Sequence, residues 1–204
     1  MKKTLLIWFS VLGFCANAQN LTEKDFQQSV SQVNTAKTDN DYDNVFKKFS
    51  KFSETKTTDK WQAYYYAAVS MYLKTELQLK KTVHQDISES NALAGKFAKA
   101  AFSQQNNAET NILLGLIYLQ KVQIKESKDV QKDLDVVSQM TAKAEASAPN
   151  NPRLAILKAK LQERSGNKEN AETLFKKALT GFENSNSSGS STPTWGRQLI
   201  QPTK

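Results

Sequence analysis

The sequence predicts an all-α fold of about eight helices, joined in pairs that resemble one another. Three observations carry this reading. Glycine and proline are scarce, 7 and 4 in 204 residues, too few breakers for a turn-rich β fold. Apolar residues recur at spacings of three and four along most of the chain, and no stretch alternates apolar with polar as a half-buried strand does. Equivalent small residues also recur at a fixed period: Ala144 and Ala178 stand 34 residues apart. Apolar residues make up 39% and charged residues 24% of the chain, which excludes global disorder.

The N-terminus reads as an export signal. Met1-Lys2-Lys3 precedes a mostly apolar run from Leu5 to Phe14, the length of a signal core and too short for a stable bilayer span. Ala16-Asn17-Ala18 then fits the A-x-A cleavage rule, so residues 1–18 form the expected signal peptide and Gln19 the new N-terminus. Lipoprotein processing at Cys15 needs a small residue before the cysteine, and this chain has Phe14 there. Cleavage removes the only cysteine, so no disulfide or thiolate ligand is expected in the exported chain, and its stability must come from packing. No other apolar run is long enough to span a bilayer, so no transmembrane segment is expected after cleavage.

Each helix has its own justification. Leu21 to Ala36 places Leu21, Phe26, Val30 and Val33 on one face. A second helix starts at Asp39 and carries Tyr42, Val45, Phe46, Phe49 and Phe52 as a stripe. A third begins near Asp59 as N-cap and runs through Trp61, Tyr64, Tyr65, Ala68, Met71 and Tyr72. A fourth begins near Asp86, with Glu89 three residues on as in a capping box. The fifth, from Ala108, is apolar nearly all round (Ile112, Leu113, Leu114, Leu116, Ile117, Leu119), so it is expected at the centre. The sixth covers Val130 to Ser147 and stops before Pro149. Asn151-Pro152 opens the seventh, with Asn as N-cap and Pro at the first helical position. Gly166-Asn167 ends it, and the eighth runs from Lys168 to Phe182.

The pairs share a spacing. Leu114-Gly115-x-x-Tyr118 is followed by Ala144 and Pro149. In the last pair, Gly166, Ala171, Phe175, Ala178 and Leu179 fill the inter-helix turn and the second helix. Ala68 takes the small-residue slot in an earlier pair. Small residues let helix backbones approach, and aromatics fill the wedge between pairs. This pattern resembles the tetratricopeptide repeat. Trp61-Gln-Ala-Tyr-Tyr-Tyr-Ala-Ala, the junction Pro149-Asn150-Asn151-Pro152 and the closing Pro193-Thr194-Trp195-Gly196 narrow the resemblance to exported tetratricopeptide proteins of the Bacteroidetes. The match departs in the last pair, where Lys158 and Gln162 replace Leu and Tyr, and the spacings Ala68 to Leu93 and Gly115 to Val137 imply insertions. The resemblance implies a short right-handed α-solenoid of helical hairpins over residues 19–183, with Ala68, Gly115, Tyr118, Ala171, Phe175 and Ala178 as structural repeat positions, and it implies no reaction. Residues 184–204 form a Ser/Asn/Gly linker followed by a C-terminal segment. Trp195 is expected to fold back onto the array with Leu199 and Ile200 beside it, Pro193 and Gly196 shaping the turn; the alternative is that this segment docks on another protein.

Catalytic and metal motifs are missing. Asp39-x-Asp41-x-Asp43 resembles half an EF-hand loop, but Asn44 and Ser50 stand where Gly and Glu are needed; three acids also favour a helix start. His84 is the only histidine, against the three or four ligands zinc requires. Gly95-Lys96 lacks the rest of a phosphate loop. No catalytic residue, metal or cofactor is therefore expected. The basic residues are nearly all Lys, with Arg only at 153, 164 and 197, which argues against a nucleic-acid surface. On the third helix Tyr64 should face the core with Ala68 and Met71. Tyr65 and Tyr72 fall one position round, on the side that lines the inner groove of tetratricopeptide arrays. Gln62, Tyr65, Tyr72, Ile112 and Leu116 are the candidate groove residues, and the tyrosines could equally be core. The expected function is a non-catalytic, exported scaffold, periplasmic or secreted, that binds an unidentified protein or peptide. The alternative is a basic envelope-associated protein that contacts anionic glycan or lipid. Mass spectrometry of the exported protein should find Gln19 at its N-terminus and no acyl group; an acylated Cys15 would overturn that reading.

Overall fold

The computed structural model describes residues 22–55, 60–81, 87–185 and 193–200. The expected leader, the caps Asp59 and Asp86, His84 and most of the Ser/Asn/Gly linker lie outside the described residues. Among the described residues there are eight α-helices and no strand: α1 (Glu23–Thr35), α2 (Asp39–Glu54), α3 (Lys60–Gln78), α4 (Ile87–Gln104), α5 (Ala108–Gln123), α6 (Val130–Ser147), α7 (Pro152–Arg164) and α8 (Lys168–Ser185), with a single 3₁₀ turn at Arg197–Leu199.

Local chemistry sets the ends. Thr22 and Thr38 open α1 and α2 with reciprocal capping boxes to Asp25 and Asp41, satisfying amide donors that the first turn leaves orphaned. Asn107 caps α5 in the same way with Thr110, and Asn151 accepts from the Arg153 amide with Pro152 at the first position of α7. The acids of the Asp39-x-Asp41-x-Asp43 run are divided between capping and pairing. Asp41 completes the box, while Asp39 and Asp43 pair with Lys81 at 2.6 Å and Lys74 at 2.7 Å. Two helices end on a left-handed residue. Gly166 follows α7 with φ +82°, and Lys125 follows α5 with φ +63°. In both, the next amide reaches back to a carbonyl in the last turn, Asn167 to Gln162 and Glu126 to Lys121.

The odd-numbered helices form one row, α1 against α3, α3 against α5 and α5 against α7, and each even helix packs on its odd neighbours. This is a solenoid-like arrangement of helical hairpins. As its apolar surface requires, α5 is central, touching α3, α4, α6 and α7. The same holds for α3, which touches α1, α2, α4 and α5 and buries residues on every side. Here one expectation is corrected. Tyr64 is only half-buried, its ring 6.1 Å from that of Phe97 on α4, while Tyr66 enters the core, stacked on Phe49 at 5.2 Å. Spacing ranks the faces of a helix but does not count its neighbours; with four helices around α3, little of its surface remains outside. Phe26 stands edge-on to Phe49, Phe52 and Tyr66, so one aromatic cluster ties α1, α2 and α3 together.

Of the repeat positions, Ala68, Ala171 and Ala178 are buried and Tyr118 and Phe175 are half-buried. Gly115 lies where α5 meets α7. A Cβ there would come within 2.7 Å of the Leu157 Cδ2 atom, in a side chain that is fully buried. Gly115→Leu should therefore destabilise the fold by about 1–3 kcal/mol or more. Gly115→Ala should cost far less, because a shift of one δ-methyl is offset by the better helix propensity of Ala, about 1 kcal/mol. Denaturation midpoints of the two variants check this, and an unchanged midpoint for the Leu variant would place the crossing elsewhere.

Candidate functional site: an inner recess closed by the C-terminal segment

The recess is built by four helices. From α3 it takes Tyr65 and Tyr72, from α5 Glu109, from α7 Arg153 and from α8 Phe182. Residues 193–200 lie in it. Trp195 is fully buried and Leu199 nearly so, with Ile200 half-buried beside them. The indole ring lies 6.1 Å from Tyr72, edge-on, and 6.3 Å from Tyr65. Its Nε1 donates to the Tyr65 hydroxyl at 2.9 Å. Gly196 permits the turn, with φ +117°, and a Cβ there would press on Phe182 at 2.9 Å and Arg153 at 3.1 Å.

At the floor sits a buried ion pair. Arg153, 2% exposed, donates from Nε and Nη2 to both oxygens of Glu109 at 2.8 and 2.7 Å. Its remaining Nη1 donates to the Pro193 and Trp195 carbonyls at 2.6 and 3.2 Å. The guanidinium also lies 5.8 Å from the Phe182 ring and 5.9 Å from the Trp195 ring. Glu109 receives two further hydrogen bonds, from Asn151 Nδ2 at 2.6 Å and the Tyr65 hydroxyl at 2.8 Å.

The electrostatics follow from this geometry. Burial pushes the Glu109 carboxyl up, but the Arg153 charge and hydrogen bonds, with those of Asn151 and Tyr65, outweigh it and hold the pKa below the ordinary value. Burial acts against the Arg153 charge, and Glu109 more than restores it. Burial first, then the Glu109 charge, pushes the Tyr65 hydroxyl well up, so it stays protonated and relays the indole N–H to the carboxylate. Tyr72 is pushed well up by burial and by the Glu76 carboxylate, and its hydroxyl makes no hydrogen bond of good geometry among the described residues.

A second polar chain crosses the row. Lys160 of α7 donates to Glu76 of α3 at 2.8 Å. Gln120 of α5 donates to Glu76 and to the Tyr72 carbonyl, and Asn91 of α4 donates to Gln120 and to the Ile117 carbonyl.

The five candidate groove residues are thus divided. Tyr65 and Tyr72 line the recess beneath Trp195. Ile112 and Leu116 lie in the core, and Gln62 is half-buried on α3. Reading the sequence assigned no role at the site to Glu109 or Arg153 and took Asn151 only as a cap. One signal was present: arginine is rare here, and its planar fork suits a buried carboxylate as lysine does not. The recess holds the chain's own residues 193–200, and no group of three or more His, Cys, Asp or Glu placed to hold a metal occurs among the described residues. Known protein-family models, curated proteins and solved structures yield no match to this chain.

Loss of either charge should unlock the recess. Arg153→Met leaves Glu109 buried and unpaired and should cost about 3–5 kcal/mol. In a Trp61→Phe background, Trp195 emission should shift to the red. Because the folded pKa of Glu109 is depressed, its contribution is present above about 4.5 and is lost as pH falls through the lower folded value. Urea midpoints from pH 7 to pH 3 should therefore fall less steeply for Glu109→Gln than for the parent; parallel slopes would show that the pair is not coupled to folding.

Proposed function

We propose that this chain is an exported tetratricopeptide-type scaffold that works by holding an extended segment of a partner protein, and not by catalysis. One observation carries the reading: the recess holds a peptide by its main chain. Arg153 binds two main-chain carbonyls of one segment, those of Pro193 and Trp195, while a socket walled by Tyr65 and Tyr72 takes the Trp195 side chain. Main-chain contacts give affinity and a side-chain pocket gives selectivity, which is how peptide-recognition modules work. A Trp anchor desolvated at the centre of such a contact is the side chain that most often dominates binding. The inner row of helices supplies the rigid wall. The resemblance of the repeat positions to tetratricopeptide spacing supports the same class, and the N-terminal signal pattern supports the compartment.

The test uses Trp195→Ala, which empties the socket without touching its walls. A synthetic peptide spanning residues 193–200 should bind this variant in trans, seen as quenching or a blue shift of the peptide Trp, and should bind the parent at least about tenfold more weakly, because there the resident segment competes. Arg153→Lys in the same background should weaken binding, since the forked contact is lost. A folded Trp195→Ala chain that ignores the peptide would overturn the proposal.

A further inference from the structure

On the other side of α5 from the recess, a cleft of about 580 Å³ opens between α4 and α5. Its floor includes a glycine. Gly95 sits in the middle of the 18-residue α4, where glycine is a poor helix former. Packing does not require it: a Cβ built there meets nothing closer than Ile117 Cγ2 at 3.8 Å, an ordinary contact. This differs from Gly115, whose crossing has no such room. The helix thus carries an unfavourable residue whose effect is to leave the cleft floor open.

The walls have a definite chemistry. Tyr118 of α5 is half-buried, and two ammonium groups stand over its ring, Lys99 at 5.6 Å and Lys121 at 5.8 Å. Lys96 adds a third cation to the lining. Lys121 is answered by Asp133 at 2.9 Å, while Lys96 and Lys99 make no ion pair among the described residues. At the base lies Asn91, a buried amide that ends the polar chain from Lys160. At one end Ser88 donates to Glu126 at 2.6 Å, which leaves Glu126 with acceptor capacity in the lining.

We propose that this cleft binds a carboxylated saccharide. The ring offers an apolar contact for the C–H face of a sugar, the lysines meet its carboxylates, and Glu126 meets its hydroxyls. The acids decide between anions. Glu126, and Asp133 beside Lys121, disfavour an anion whose charge is concentrated, such as phosphate, whereas a sugar acid sets its carboxylate apart from several hydroxyl donors that Glu126 can accept. The volume matches one or two sugar units within the usual range of ligand pockets, about 300–1,000 Å³.

The test titrates the exported chain with tetragalacturonate, with uncharged tetragalactose and with inorganic phosphate, by calorimetry and by chemical shifts on α4 and α5. Tetragalacturonate alone should bind, more weakly as salt rises because exposed charges are screened. Tyr118→Ala and Lys99→Gln should each weaken binding about tenfold or more, while Lys158→Gln, a lysine on α7, should not. Gly95→Leu should fill the cleft and abolish binding. Gly95→Ala should raise the melting midpoint by about 1–4 °C, which shows that the glycine is not there for stability. Equal binding of tetragalactose would overturn the role of charge, and displacement by phosphate at equal concentration would overturn the saccharide class. No binding, or binding untouched by Tyr118→Ala and Lys99→Gln, would overturn the site.

Discussion

The buried pair of Glu109 and Arg153 is the constraint around which the rest of the molecule is arranged. Either charge alone in that position would be strongly unfavourable, and together they are tolerable only because nearly every lone pair and proton is used. Glu109 accepts from Arg153, Asn151 and Tyr65. Arg153 has donors left over, and these are taken by main-chain carbonyls of the C-terminal segment. Complete solvation of the pair therefore requires four elements at once: α3, α5, α7 and residues 193–196. A slip of one helix by a turn would strand a charge, whereas an apolar interface could repack after such a slip.

This matters because repeat arrays are held mainly by neighbour-to-neighbour contacts, and each hairpin can in principle open without its distant neighbours. Here polar connections between distant elements cut across that order. The indole of Trp195 bonds Tyr65 across 130 positions of sequence, and Lys160 reaches Glu76 across 84. Both bring α7 or the C-terminal segment onto α3, which the row alone joins only through α5. The terminal segment thereby covers apolar surface that an array exposes at its end and on its inner side, and ties the first half of the fold to the last.

The two faces of the array use opposite strategies. The inner recess is aromatic and closed by residues 193–200, with Glu109 and Arg153 paired and the Tyr65 and Tyr72 hydroxyls held protonated. The cleft between α4 and α5 is open, with Lys96 and Lys99 exposed and Lys121 paired with Asp133. Asn91 belongs to both, since its amide lines the cleft and also ends the chain that runs through Gln120 and Glu76 toward Tyr72.

What the sequence determined by itself was local. The helix start at Asn151-Pro152, the stop before Pro149 and the break at Gly166 are set by residues within one turn, so they are readable without a fold. The central place of α5 was readable because a helix apolar all round has only one kind of environment. The burial of Trp195 was readable because an indole and two aliphatics after a polar stretch need cover. What only the tertiary structure decided was which helices supply that cover and how many neighbours surround each. Tyr64, expected in the core, is half-buried while Tyr66 is buried, because α3 has four neighbours and spacing along one helix has no record of the others. Glu109 and Arg153 are 44 residues apart, each plausible as an ordinary surface charge. They become a pair only when α5 and α7 lie side by side with water excluded, and exclusion of water is a property of the assembled fold, which no local stretch of sequence contains.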